Sequence, residues 1–177
     1  MTTRHLARPA LERLLTTLPL PPRDHGRVQL VVARGVDGRL TPNPGRLTRE
    51  GGLEGDRWAV KRKRRSNQVS MMRADVASAL GGGQDLSTPG DNLLVRLDLH
   101  ADNLSPGARL RVGSAILEVT DEAHVGCKLF RQRFGLAALE ATLDPAWKPH
   151  HLRGIYLQVV EDGEVAPGDA ITVLKRP

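Results

Sequence analysis

The chain has 177 residues, a formal net charge of +6 and a single cysteine, Cys127. This length suits one domain whose core needs no disulfide or metal for stability, and a lone cysteine excludes an internal disulfide. No signal peptide and no run of about 20 apolar residues is present, so we expect a soluble protein in the reducing cytoplasm with no membrane partner. The charge favours an anionic small molecule or cofactor, while an aromatic content of 3% counts against nucleic acid.

The first predicted element is an amphipathic helix over residues 4–18, which PLPP at 19–22 ends. Residues 1–22 are therefore assigned to an N-terminal helix and proline stop, and residues 23–177 to one domain. VQLVVAR at 28–34 predicts a strand. The glycine- and proline-rich stretch from 35 to 55 predicts a long functional loop, and KRKRR at 61–65 is a charge run typical of a solvated loop or a phosphate contact.

The middle of the chain predicts short strands separated by turns. NQVSMM at 67–72 predicts a strand, and RADVASAL at 73–80 a short helix that GGG ends. GDNLLVRLDL at 90–99 predicts another strand. ARLRVGSAILEVT at 108–120 alternates on both sides of Gly113 and Ser114 and predicts a hairpin.

The C-terminal part predicts one more helix and two more strands. FGLAALEAT at 134–142 favours the helix, and GIYLQVV at 154–160 and DAITVL at 169–174 favour the strands. Many turns with short apolar strands are typical of a sandwich or barrel, so the expected fold class is mainly β with a few short helices.

Cys127, in EAHVGCKLFRQRFG at 122–135, is the first candidate for chemistry. The thiolate is the reactive form of cysteine, and nearby cations such as Lys128 and Arg131 favour it. Gly126 would allow a ligand to approach the backbone. The alternative is a buried structural thiol, and the local sequence does not decide between the two.

Other polar residues are weaker candidates. Arg57 in GGLEGDRW at 51–58 suits an anion, although a tight polar loop explains the same residues. Asn92 offers a donor and an acceptor to a heterocycle, and turn chemistry is the alternative. No HxxxH, HExxH or CxxC spacing is present, so no zinc site is expected, and the serines lack a GxSxG context.

Six blocks over residues 28 to 174 together resemble MOSC domains, the family named after the C-terminal part of molybdenum-cofactor sulfurase. The likeness is strongest to the small stand-alone bacterial type. The blocks, in order, are GGLEGDRW, NQVSMM, PGDNLLV, LSPGARLRVGSAILEVT, HVGCK and RGIYLQVVEDGEVAPGDAITVL. The chain departs from the family pattern at Trp58, where relatives commonly have histidine. A packed tryptophan or one that stacks on a pterin would account for that residue.

The resemblance implies a β-barrel-like fold and a molybdenum cofactor (molybdopterin). Cys127 matches the family cysteine that ligates molybdenum or carries a persulfide, and Asn92 matches a cofactor-contacting asparagine. The remaining predicted cofactor-binding residues are Arg57, Ser70, Lys128, Arg131 and Arg153. His124 is the predicted proton donor.

Three functions remain open after the resemblance is taken into account. In the first, Cys127 ligates molybdenum, the site reduces N-hydroxylated compounds, and a reductase partner supplies electrons. In the second, Cys127 is a persulfide carrier that receives sulfur from a cysteine desulfurase and delivers it to metal–sulfur centres. In the third, the chain is a non-catalytic cofactor carrier or a basic nucleic-acid-binding module that uses residues 61–65. Pyridoxal phosphate binding is associated with the same family, and the oligomeric state is not predicted.

Overall fold

A computed structural model of the protein describes residues 5–61 and 64–177, with only the backbone at Lys61. The strands of the described residues are His25–Val31 (β1), Ala33–Arg34 (β2), Arg39–Leu40 (β3), Gly45–Thr48 (β4), Gly52–Leu53 (β5), Val69–Arg73 (β6), Leu93–Arg96 (β7), Arg109–Val112 (β8), Ala115–Val119 (β9), Ile155–Glu161 (β10), Gly163–Val165 (β11) and Ala170–Lys175 (β12). The α-helices are Arg8–Thr17 (α1), Arg57–Lys61 (α2), Ala74–Gly81 (α3) and Lys128–Leu143 (α4).

Seven strands close into a barrel in the order β1-β12-β8-β9-β10-β6-β7, and β7 pairs back onto β1. The fold is mainly β, as the sequence predicts. Neighbouring strands are antiparallel except β6 and β7, which are parallel. A parallel pair needs a crossover connection, and α3 with the loop after it supplies that crossover between Arg73 and Leu93.

The hairpin of β8 and β9 illustrates how the pattern builds the barrel core. Leu110, Val112, Ala115 and Leu117 are fully buried, while the residues between them are more exposed. Alternate side chains of a strand point to opposite faces, so one face of the hairpin fills the barrel interior. The turn at Gly113 has φ of 59°, a left-handed conformation that glycine adopts without strain, and the predicted hairpin is confirmed.

The helices form a second apolar cluster on the outside of the barrel. Leu11 and Leu15 of α1 are buried in this cluster together with Phe130 and Phe134 of α4. Helix α1 begins at Arg8 with Pro9 in its first turn, where a missing N–H costs no hydrogen bond. The N-terminal helix therefore packs on the other helices within its own chain.

Helix α4 is longer than predicted and broken in the middle. It begins at Lys128, six residues before the predicted start, and Gly135 interrupts it with φ of 86° and ψ of 173°. The break lets Phe130 and Phe134 before it and Ala138 after it all face the second cluster. The sequence pattern predicted a helix only over residues 134–142. The first half of α4 was not predicted, because the break at Gly135 changes the spacing of the apolar residues.

The predicted long loop over 35–55 is wrong in part, because it contains β3, β4 and β5. Strand β4 pairs with β5 on one side and with β11 on the other. Leu47 and Leu53 are buried there, so apolar burial holds the segment against the barrel. Strands of two to four residues are too short for a periodic signal. Among the described residues no helix is long and apolar enough to span a bilayer.

Candidate functional site

A pocket of about 390 Å³ collects functional residues from segments that are distant in sequence. Cys127, His124 and Tyr156 contribute to its lining. The pocket is also lined by five arginines, which are Arg34, Arg39, Arg57, Arg133 and Arg153. This concentration of cations gives the pocket a positive potential that suits an anionic ligand.

The Cys127 thiol is exposed and opens onto this pocket. The residue precedes the first residue of α4, and its backbone is extended, with φ of −115° and ψ of 177°. Its carbonyl accepts a hydrogen bond from the Arg131 N–H at 3.0 Å, while its side chain makes no capping hydrogen bond. The alternative of a buried structural thiol is therefore wrong.

Gly126 has a packing role. A Cβ at this position would lie 2.4 Å from Leu139 Cδ1 and 3.1 Å from Thr142 Oγ1. The segment before Cys127 thus packs directly against the second half of α4. This contact fixes the position of Cys127 at the start of the helix. The sequence predicted that Gly126 lets a ligand approach the backbone. In the structure, the absence of a side chain at Gly126 instead allows this contact with α4.

Arg39 and Arg133 converge over the loop that ends at Gly90. A Cβ at Gly90 would lie 3.4 Å from Arg39 Nε and 3.6 Å from Arg133 Nη1. Arg39 donates to the Thr88 carbonyl at 2.7 Å and Arg133 to the Pro89 carbonyl at 3.3 Å. Burial lowers the pKa of Arg133, and the Arg39 guanidinium lowers it further. A bound anion would offset this repulsion between like charges.

Arg57 begins helix α2 and also faces the pocket. Its Nε is buried and has no hydrogen-bond partner in the described part of the chain. An unsatisfied buried donor costs roughly 1–3 kcal/mol. A ligand oxygen that accepted from Arg57 Nε would recover that free energy, which gives this predicted cofactor-binding residue a physical role.

Asp91 forms the buried centre of the polar wall. Its side chain is fully buried, Oδ2 accepts a hydrogen bond from Arg153 Nη1, and Oδ1 lies 3.6 Å from His124 Nδ1. Burial by itself raises the pKa of Asp91, but the charge and hydrogen bond of Arg153, together with the other basic groups nearby, outweigh burial, and the pKa is lowered. Asp91 is therefore ionised at neutral pH.

His124 is held as a neutral imidazole. Burial lowers its pKa to about 3, and the Arg153 guanidinium adds to the shift. The ring lies against Tyr156, with the ring centroids 4.0 Å apart. A neutral imidazole carries one N–H, so at pH 7 His124 can donate a hydrogen bond but holds no second proton to release.

Unpartnered buried atoms concentrate in this site. Four buried side-chain polar atoms of the described residues lack a hydrogen-bond partner, namely Arg57 Nε, Asp91 Oδ1, His124 Nδ1 and Arg153 Nε. Buried polar groups in folded proteins are almost always satisfied, so such a group needs an explanation. Three of the four residues line the pocket, which points to a polar ligand or ordered water as the missing partner.

Asn92 and Ser70 lie behind the pocket. Both are buried, and Asn92 Oδ1 accepts hydrogen bonds from the Ser70 N–H at 3.0 Å and the Ser70 hydroxyl at 3.2 Å. Asn92 Nδ2 donates to the Val32 carbonyl at 3.1 Å and to Asp56 Oδ2 at 2.9 Å. The structure thus uses the whole amide internally and places neither residue in the pocket lining.

This network positions Arg34. Asp56 accepts two hydrogen bonds from the Arg34 guanidinium, at 2.8 and 2.9 Å, and one from its backbone N–H at 2.8 Å. Burial raises the pKa of Asp56, but the hydrogen bonds and charge of Arg34, together with the hydrogen bond from the Trp58 N–H, more than offset burial, and the pKa is lowered. Asn92 and Ser70 therefore act on the pocket through Asp56 and Arg34.

Lys128 and Arg131 lie outside the pocket lining, on the exposed face of α4 next to Cys127. They line a separate shallow groove with His5. Trp58 is buried and donates from Nε1 to Asn67 Oδ1 at 3.1 Å, so it packs in the interior and does not line the pocket. The packed tryptophan is the alternative that the structure supports.

Sequence reasoning missed several residues of the site. Arg34, Arg39, Asp91, Arg133 and Tyr156 were not predicted. The PGDN turn before β7 was the available signal for Asp91, and the RFG triplet after Cys127 was the signal for Arg133. Arg34 and Arg39 carried no local signal, because only the fold brings them to Cys127.

The charge run KRKRR lies partly outside the described residues, which omit residues 62 and 63. Arg64 donates to Glu122 at 2.9 Å, and Arg65 donates to the Val159 carbonyl at 2.8 Å. In residues 5–61 and 64–177 no three His, Cys, Asp or Glu side chains are grouped so that they could hold a metal ion. A metal at Cys127 would therefore need other ligands from a bound molecule.

The sequence of residues 66–172 matches the family model of the MOSC domain. The fold is similar to the crystal structure of the YuaD protein from Bacillus subtilis, with 18% identity, a TM-score of 0.60 and coverage of 86% of this chain and 97% of YuaD. It is also similar to YiiM from Geobacillus stearothermophilus, with 15% identity, a TM-score of 0.58 and coverage of 85% and 76%. YiiM from Escherichia coli has 18% identity, a TM-score of 0.57 and coverage of 85% and 71%. No curated protein shows significant similarity to the sequence.

Proposed function

Because this chain belongs to the MOSC domain family, we propose that its arginine-lined pocket binds a molybdenum–pterin cofactor and that the loaded protein reduces N-hydroxylated compounds. The observation that carries the proposal is the exposed Cys127 thiol, which opens onto a pocket lined by five arginines. A soft thiolate suits molybdenum, and a basic pocket suits the phosphate of a pterin cofactor.

Cys127 is the proposed protein ligand to the metal. No cluster of other ligating side chains is grouped in the described residues, so the remaining donor atoms would come from the sulfurs of the cofactor. The exposed thiol has no competing hydrogen bond to the start of α4. Ligation requires the thiolate, and metal binding itself would release the thiol proton.

The arginines are the proposed anchors of the cofactor's anionic groups. Arg39, Arg57 and Arg133 present guanidinium groups to the pocket, and Arg57 Nε has a free buried donor. Arg153 is fixed by Asp91 and also lines the pocket. Guanidinium groups bind phosphate through charge-assisted, often paired hydrogen bonds. These residues and the cofactor therefore fit one another chemically.

The proposed reaction reduces R–NH–OH with two electrons and two protons to R–NH₂ and water. The bound cofactor would supply the two-electron chemistry, and an external reductase would supply the electrons. In this scheme the neutral His124 donates a hydrogen bond to substrate oxygen, because its pKa of about 3 excludes an imidazolium at pH 7. We place the protein in the cytoplasm, where the single thiol stays reduced.

The test is expression in a host that makes molybdopterin, followed by measurement of bound molybdenum, bound pterin and hydroxylamine reduction. The wild type is expected to retain both molybdenum and pterin. Cys127→Ser is expected to lose reduction while it keeps part of the pterin through the arginines. Arg57→Gln combined with Arg133→Gln is expected to lower pterin content. If Cys127→Ser keeps both metal and activity, the proposal is wrong.

A sulfur-carrier function is the second candidate, and the exposure of Cys127 favours it. A persulfide carrier needs a thiolate that another protein's sulfur can reach. A cysteine desulfurase with radiolabelled cysteine tests this function. Label on wild type but not on Cys127→Ser, in protein that holds no molybdenum, would replace the reductase proposal with the carrier.

A further inference from the structure

We propose that the outer surface of α4 beside Cys127 docks an acidic electron-donor protein. We name this surface the α4 face and define it by Val125, Lys128, Leu129, Arg131 and Leu136. The inference rests on the proposed function, because the docked protein would supply electrons to the site at Cys127. The partner would bind at the α4 face and present an acidic surface to it.

Three of the five residues of the α4 face are exposed apolar side chains. Val125 is 56% exposed, Leu129 is 46% exposed and Leu136 is 49% exposed. Val125 and Leu129 also line the pocket into which Cys127 opens. Exposed apolar groups that lie together mark interaction sites. A partner that covered Val125 and Leu129 would therefore lie directly over the mouth of the pocket.

The other two residues of the α4 face carry positive charge. Lys128 and Arg131 are both exposed, and none of the salt bridges of the described residues includes either one. Helix α4 carries three cations, Lys128, Arg131 and Arg133, against one carboxylate, Glu140. Complementary charge accelerates association and sets orientation, so the expected partner presents carboxylates at this position.

The observations favour a protein over the other anionic surfaces. Recognition of an anionic membrane usually takes four to eight clustered Lys and Arg residues, and the α4 face has two. Single-stranded nucleic acid binds on aromatic platforms, and the α4 face has no aromatic residue. Small apolar contacts with charged surroundings are typical of transient electron-transfer complexes, which bury less than about 1,200 Å².

The test uses a purified acidic [2Fe–2S] ferredoxin as the probe and the cofactor-loaded protein. The variant is Lys128→Glu combined with Arg131→Glu, since neither residue lines the pocket. The matched control is Arg111→Glu combined with Lys175→Glu, an equal charge change at exposed positions of β8 and β12. Ferredoxin binding is measured by titration at increasing salt, and hydroxylamine reduction is driven either by reduced ferredoxin or by reduced methyl viologen.

The wild type and the control are expected to bind ferredoxin with an affinity that falls as salt rises. The α4-face variant is expected to lose binding and ferredoxin-driven rate by about tenfold or more. Its methyl viologen-driven rate reports any effect of the two charges on the site itself, and this rate is expected to fall much less than the ferredoxin-driven rate. Equal ferredoxin binding by all three proteins would overturn the docking proposal, as would no binding by the wild type. Absence of viologen-driven reduction in the wild type would instead count against the proposed function, and ferredoxin titration would still test the surface.

Vesicles containing phosphatidylserine are the last probe of the α4 face. Binding to vesicles but not to ferredoxin would assign the α4 face to membranes and overturn the docking proposal.

Discussion

Asp91 lies between Arg153 and His124 with its side chain fully buried. Its carboxylate receives the Arg153 guanidinium on one oxygen and faces His124 on the other. The burial that makes an isolated carboxylate unfavourable is offset by Arg153, and the same burial keeps His124 neutral. Asp91 thus fixes Arg153 by a hydrogen bond, while burial and the Arg153 charge hold His124 neutral despite the nearby carboxylate.

His124 is expected to make the protein less stable as pH falls from about 6.5 towards 3. Its folded pKa of about 3 lies below the ordinary histidine value of 6.5, so between these values the unfolded chain binds a proton that the folded chain does not. Stability is then lost at about 1.4 kcal/mol per pH unit. Urea unfolding of wild type and His124→Asn at pH 7.5, 6.0 and 5.0 measures this slope.

The His124→Asn variant is expected to show a smaller loss below pH 6.5, by about the slope of one proton. The comparison is between slopes, so a uniform loss of stability in the variant does not affect it. The lowered pKa of Asp91 has its effect below about pH 4, outside this range. Identical pH dependence of both proteins would show that His124 is not buried as a neutral group.

At the scale of elements, α4 connects the core to the functional site. Its Phe130 and Phe134 are buried in the second apolar cluster, while Cys127 and Arg133 at the same end contribute to the pocket. The break at Gly135 lets both halves of the helix pack on the core. The same helix thus carries side chains of the apolar cluster and side chains of the pocket.

Gly135→Ala is expected to destabilise the protein. The backbone has φ of 86° and ψ of 173°, a conformation that only glycine adopts easily, and strain of this kind costs roughly 1–3 kcal/mol. The new Cβ would also lie 2.8 Å from His5 Cβ. The midpoint of urea unfolding at pH 7.5 measures the loss.

Gly81→Ala provides the matched control. Gly81 is the last residue of α3, and its added Cβ would meet its nearest neighbours at 3.5 and 3.6 Å, which is ordinary contact. Because alanine favours a helix by up to about 1 kcal/mol over glycine, this variant is expected to be neutral or more stable. A Gly135→Ala protein as stable as Gly81→Ala would contradict the strained break.

At the scale of the whole molecule, the fold brings five arginines to one pocket, from β2, β3, α2, α4 and the turn before β10. The net charge of the chain is +6. Repulsion among these groups lowers the stability of the free protein, and the unpartnered donor of Arg57 adds to that cost. Binding of an anion in this pocket is therefore expected to raise the stability of the protein.

Pyrophosphate is therefore expected to stabilise the cofactor-free protein. At a concentration 100 times its Kd, the ligand adds about 2.7 kcal/mol, which for a chain of this size raises Tm by roughly 5–10 °C. Thermal unfolding followed by circular dichroism measures the shift, with sodium chloride at equal ionic strength as the reference. Arg57→Gln combined with Arg133→Gln is expected to lose most of the shift. An equal shift in that variant would place anion binding elsewhere.

The fold class, most strand positions and the family could be predicted from the residues alone, while the role of Cys127 stays a prediction. Alternation over residues 108–120 and the glycine turn are local signals, and the ordered blocks around Cys127 identified the family. The residues that line and support the pocket could not be predicted from the sequence, because they are far apart in the chain. Arg34, Arg39 and Asp91 come from strands and turns that meet through barrel closure. Asp91 is buried and paired, whereas Cys127 is exposed. This difference in burial arises only in the folded chain, and the local sequence does not encode it.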